Sequence, residues 1–212
     1  MRTLVTGSSG SRAHASDIDF TEFKKRVWEM GDEEFYEAYD DAFKNIGFFD
    51  YTLTNLEYFE DWIYGDLLEV GCSAGLVLKA IRKRCKRCVG IDVSSHALKE
   101  AVRTLPSDIE LFKADVEKPL FFPDRSFDTV LCGHTLEHLR KPSKAISEMK
   151  RVCRDRIIVL IPLQGKKQRW KKTNMHIQFW PTIESFEKFF GSNATDSLVL
   201  REGTLAIMKF EV

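Results

Sequence analysis

The chain has 212 residues, 43% of them hydrophobic, and equal numbers of basic and acidic side chains, 32 of each. That length suits one α/β unit with a single core, and net neutrality argues against a protein that grips long nucleic acids by bulk charge. No apolar run approaches the ~20 residues of a membrane helix and the start lacks the apolar segment of a signal peptide, so the expectation is a cytoplasmic protein without membrane contact.

Residues 1–19 are polar and rich in Ser and Gly, and they read as a flexible tail. Within them Leu4-Val-Thr-Gly-Ser-Ser-Gly10 imitates a nucleotide-binding strand and turn, but no apolar helix follows it. From Phe20 to Tyr64 the chain turns acidic and aromatic, with apolar residues at helical spacing that predict two or three helices before the first strand. They read either as packing against a sheet or as a lid over its open edge.

Asp66-Leu-Leu-Glu-Val-Gly-Cys-Ser-Ala-Gly75 then Leu76 to Ile81 is an apolar run ending in an acid, a glycine turn and an amphipathic segment. Gly71 and Gly75 allow a sharp turn and close approach to a ligand, and a helix starting near Gly75 would aim N–H groups at it. Arg87-Cys-Val-Gly-Ile-Asp92 predicts a second strand whose terminal acid can accept hydrogen bonds from ribose hydroxyls. Ile109 to Asp115 repeats the plan, and Phe127 to Gly133 supplies a fourth strand. Four strands therefore end in polar residues or glycine on one edge.

Beyond them, Pro142 opens a helix over Ser143 to Cys153, and Arg156 to Ile161 reads as a buried strand. Ser185 to Phe190 belongs to another helix, and Ser197 to Val212 reads as two strands turned at Glu202-Gly-Thr204. The predicted class is α/β: a Rossmann-like, seven-stranded, mostly parallel sheet with a C-terminal antiparallel hairpin, helices on both faces and an N-terminal helical lid. One domain spans 20–212, with the lid over 20–64 and the core over 65–212.

These motifs, in this order, resemble the class I methyltransferases that use S-adenosylmethionine, in particular the small single-domain, type 11-like group. Glu69-Val-Gly-Cys-Ser-Ala-Gly75 matches the family's first motif, with Ser73 in place of its middle glycine. Gly90-Ile-Asp-Val-Ser94 matches the ribose-binding acid at Asp92, and Ala114-Asp-Val-Glu117 the adenine-binding acid at Asp115. The resemblance thus implies a cofactor site of Glu69, Gly71, Cys72, Ser73, Gly75, Asp92, Val93, Asp115, Val116 and Gly133, with Tyr39 reaching it from a lid helix. Nicotinamide enzymes share the strand–loop–helix but normally carry a glycine where Ser73 stands.

Ser126 to Leu139 looks like the family's fourth strand and active-site loop. A sulfonium methyl is already electrophilic, so positioning and water exclusion dominate, and a base helps only for a protonated acceptor. The candidate bases are His134, His138 and His176. In the family, a Leu-Glu-His-Leu sequence such as Leu136 to Leu139 often begins a helix and holds the loop. Glu137, His138 and His176 also resemble the metal set of small-RNA 2′-O-methyltransferases, except that His134 replaces its first glutamate. Magnesium prefers oxygen ligands, so that loss weakens the site, and no metal is expected.

Five cysteines, at 72, 85, 88, 132 and 153, read as reduced thiols, and Cys85-x-x-Cys88 lacks a second pair at zinc spacing. Of two basic clusters, Arg82 to Arg87 reads as a solvated helix end, while Lys166 to Lys172 with Trp170 could hold an anion or RNA beside the acceptor. The sequence reading is methyl transfer to an oxygen or nitrogen of a small-molecule or sugar-like acceptor, yielding S-adenosyl-L-homocysteine. RNA methylation, or a catalytically silent binding protein, are the alternatives, and the oligomeric state stays open.

Overall fold

The computed structural model describes residues 20–46, 51–164 and 175–212. Seven strands, β1 (Asp66–Val70), β2 (Arg87–Asp92), β3 (Ile109–Lys113), β4 (Phe127–Gly133), β5 (Cys153–Pro162), β6 (Asp196–Leu200) and β7 (Leu205–Glu211), form one sheet in the order β3-β2-β1-β4-β5-β7-β6. The first five run parallel, and β7 lies antiparallel between β5 and β6. The predicted architecture therefore holds, including the C-terminal hairpin.

Every residue of Leu67–Val70 and Ile157–Ile161 is buried, as expected of central strands covered on both faces. Successive side chains alternate between two cores. Leu68, Val70, Val130, Cys132, Ile157 and Val159 face α5 (Pro142–Val152) and α6 (Ile183–Phe190), through Met149 and Phe186 among others. Leu67, Leu131, Ile158 and Leu160 face α3 (Leu76–Ile81) and Phe59, which follows a 3-10 turn over Leu53–Tyr58. Local signals set the ends of these helices. Ser94 accepts from Ala97 N to start α4 (Ser95–Thr104), and Thr182 and Ser185 cap α6 reciprocally, which stops in left-handed Gly191.

Three expectations shift. Helix α5 begins at Pro142, because proline suits the first helical turn and drives Lys141 out of the α region. Leu136–His138 consequently forms a separate 3-10 turn and does not begin a helix. Strand β5 starts at Cys153, three residues before the predicted start at Arg156, and pairs with β4 across an irregularity between Phe127 and Thr129. The charged side chains there hid the strand.

Ahead of the sheet lie α1 (Thr21–Arg26) and α2 (Asp32–Ile46). Their apolar side chains Phe20, Phe23, Val27 and Phe35 form a third core with Met175 and Ile177, the chain returning after β5. These helices therefore sit over the carboxyl ends of the strands. The order reverses direction between β1 and β4, and such a switch point opens a crevice outside the strand ends.

Candidate active site

The loop leaving β1 is held open by backbone conformations that side chains resist. Gly71, Ser73 and Gly75 have φ of +73°, +49° and +71°. A Cβ on Gly71 would run into the Thr135 side chain. Backbone N–H groups of Gly71 and Cys72 donate to the Ile91 carbonyl at 2.9 and 3.0 Å, which ties the loop to β2. Ser73 thus takes the left-handed turn that the usual glycine would occupy.

Asp92, at the end of β2, is buried and accepts Ser73 N on one carboxylate oxygen and Ser94 N on the other, each at 2.8 Å. Burial pushes its carboxyl above the ordinary value, opposed by these N–H groups. Glu69 is buried near the end of β1, and Val116 is buried beyond β3 while Val93 is partly covered. Asp115 accepts Glu117 N at 2.9 Å and takes the hydroxyl of Tyr36 on its other oxygen. Three acids thus stand side by side around the glycine turn.

Sequence reading missed what α2 brings to them. Tyr36 reaches Asp115, and Asp40 accepts from the Ser94 hydroxyl and from His96 N. Tyr39 points elsewhere: its hydroxyl donates to the His138 carbonyl at 3.1 Å, and its ring stands edge-on to His138. The helical spacing of Tyr36, Tyr39 and Asp40 was a signal for one face, but not for which tyrosine meets an acid.

The fourth strand ends in Gly133, where a Cβ would strike the buried Thr52. His134 follows at φ +51°, its N–H donating to the Leu160 carbonyl at 2.8 Å. Its Nδ1 stands 3.4 Å from an oxygen of the fully buried Glu137. The rings of His138 and His176 approach to 4.9 Å between centroids, edge to face. Backbone N–H groups of Ile177 and Gln178 both donate to the Glu137 carbonyl, at 2.8 and 3.0 Å, locking residues 175–178 against the 3-10 turn. The three histidines chosen from sequence thus meet around one carboxylate.

Electrostatics separate their roles. Burial, reinforced by His138, holds the His176 imidazole down at about 3, so it is neutral and a poor base near pH 7. Burial lowers His138 as well. Glu137 is raised by burial but pulled down to about 2 overall by the close approach of His134 and by the His138 and His176 rings. The first basic cluster is paired at its surface: Arg82 with Asp108, Arg84 with Glu60 and Asp61, and Arg87 with Glu110. Lys166 to Lys172 lies outside the described residues.

A Rossmann-like sheet in this order, with acids at the ends of adjacent strands around a glycine turn, is the fold shared with solved S-adenosylmethionine-dependent methyltransferases. Residues 68–161 match the family described as a methyltransferase domain. The chain is 31% identical to the probable methyltransferase ltbC of Aspergillus luteorubrus over 42% of this chain and 36% of that protein. It is 33% identical to ajmaline N-methyltransferase of Rauvolfia serpentina over 45% of this chain and 35% of that enzyme. The chain therefore spans little more than a third of the length of these relatives. A methyltransferase structure from Aquifex aeolicus shares the fold at a TM-score of 0.60 and 15% identity, over 86% of this chain and all of that one. Another, from Mesorhizobium loti, gives 0.63 and 11% over 74% and 97%. No described helix is long and apolar enough to cross a membrane.

Proposed function

We propose that this protein transfers a methyl group from S-adenosylmethionine to an oxygen or nitrogen of a small-molecule acceptor. The observation that carries the reading is Asp92, pinned on both carboxylate oxygens by the loops of β1 and β2 and flanked by Glu69 and Asp115. A buried carboxylate oriented in advance can receive ribose hydroxyls without rearranging, and the family resemblance assigns Asp115 to the adenine amine. Relatives named for N-methylation of ajmaline and O-methylation in ubiquinone biosynthesis fit an oxygen or nitrogen acceptor.

When bound, the cofactor supplies an electrophilic sulfonium methyl, so the chain's own work is placement and exclusion of water. Gly133 and His134, at the end of β4, would face that methyl. Thr52 packs against Gly133, and the Tyr51 ring lies 5.7 Å from the His134 ring, closing the approach. His134 is the base candidate this arrangement favours, since it directly follows β4 with its side chain one-fifth exposed (20%), whereas desolvation lowers the His138 and His176 imidazoles. α1 and α2 act as the lid.

Calorimetric titration of the full chain with S-adenosylhomocysteine tests the cofactor half, with binding expected in the micromolar range. Asp92→Asn should weaken it by ~10–100-fold, the worth of hydrogen bonds to a charged group. A folded protein that binds no S-adenosylhomocysteine sinks the reading. Labelled-methyl transfer into separate small-molecule and RNA pools tests the acceptor, and label in RNA alone overturns the small-molecule assignment.

A further inference from the structure

We propose that Glu137, His138 and His176 form a binding site for a divalent first-row transition metal, with Gln164 orienting His176. One donor atom from each of the three lies within 4.8 Å of the others. Glu137 is fully buried, and neither of its carboxylate oxygens has a hydrogen-bond partner; His134 Nδ1, at 3.4 Å, is too distant for a good one. His138 Nδ1 is likewise buried without a partner. Orphaned acceptors of this kind, an anion among them, are costly inside a protein, and a cation held between them removes the cost.

The surroundings are those of a ligand set held in place. His176 engages Gln164 Oε1 through Nδ1 at 2.9 Å, which leaves Nε2 as the free donor atom, the outer-shell arrangement common to metal-bound histidine. The Tyr39 hydroxyl and the Ile177 and Gln178 N–H groups fix the backbone of the two adjoining ligands. Two imidazoles and one carboxylate suit zinc, iron(II), cobalt(II) or manganese(II), and they leave coordination positions open. Magnesium and calcium prefer all-oxygen sets, so the nitrogen content that argued against magnesium argues for this class. Metal binding here does not depend on the methyl-transfer reading.

The test is a cobalt(II) titration of the full chain after chelator treatment, followed by visible absorption. One equivalent should bind with ligand-field bands and no thiolate charge-transfer band. Zinc should compete and raise the melting temperature, while magnesium should do neither. Glu137→Gln should abolish the bands, and Gln164→Ala should weaken binding about 10–100-fold. If Glu137→Gln fails to fold, His176→Gln must lose the bands, and loss is scored only in variants that melt cooperatively. No cobalt binding to folded wild type, binding unchanged in these variants, or binding that disappears with Cys85→Ser each overturns the proposal.

Discussion

At the scale of single residues, burial weighs on a cation near the histidine cluster. Lys24, on α1, has its ammonium lowered to about 8 by burial, and its charge weighs further on His138 and His176. In the unfolded chain this group titrates near its ordinary value of 10.5. Between those two values the unfolded state binds more protons, so folding stability rises with pH through that window. The penalty is full below pH 8 and gone above 10.5. Lys24→Met should therefore raise the melting temperature at pH 7 and flatten its climb between pH 8 and 10.5. A melt series showing the same climb in the variant counts against this account of Lys24.

Helix α2 is the element whose contacts set access to the crevice. Tyr36 gives its hydroxyl to Asp115, the acid proposed for adenine, so on that reading the helix and the cofactor compete for one carboxylate. Tyr36→Phe removes one hydrogen bond from the free protein, worth about 0.5–1.5 kcal/mol. It should tighten S-adenosylhomocysteine binding by ~2–10-fold while lowering the melting temperature slightly. Unchanged affinity would show that the tyrosine and the cofactor use different lone pairs. The sequence made the core elements readable because each strand is a short apolar run closed by an acid or glycine, a signal carried by neighbouring residues. The contacts of α2 join residues 54 to 99 positions apart, and no local period records such pairing. The same reason hid Gln164 behind His176 and Thr52 behind Gly133. Charges at Arg154 and Asp155 masked the start of β5, whereas glycines at 71, 75 and 133 were legible because turns and close contacts demand them.

Across the whole molecule, stability is divided unequally between the sheet and the helices that cover its edge. The sheet is bound by continuous ladders and two buried cores, and its opening approaches global unfolding. α1 and α2 pair with no strand. They are held by one small aromatic core and by side-chain links, among them Arg140 to the Met30 carbonyl and Asp32, Lys118 to Asp32, and Tyr39 to the His138 carbonyl. Exposed ion pairs contribute ~0–1 kcal/mol each, so the segment can open without the sheet. A cofactor bound beneath it adds contacts only in the closed state and shifts the population toward closure. Amide hydrogen exchange should then run faster in residues 20–46 than in β1, β4 and β5 of the free protein, and slow on adding S-adenosylhomocysteine. Exchange in the central strands should slow only by the gain in global stability, ~2.7 kcal/mol at a hundredfold excess over Kd. Protection of 20–46 equal to that of β4 before any ligand is added would mean that the helices are part of one cooperative unit, and the lid would have to open by unfolding the whole domain.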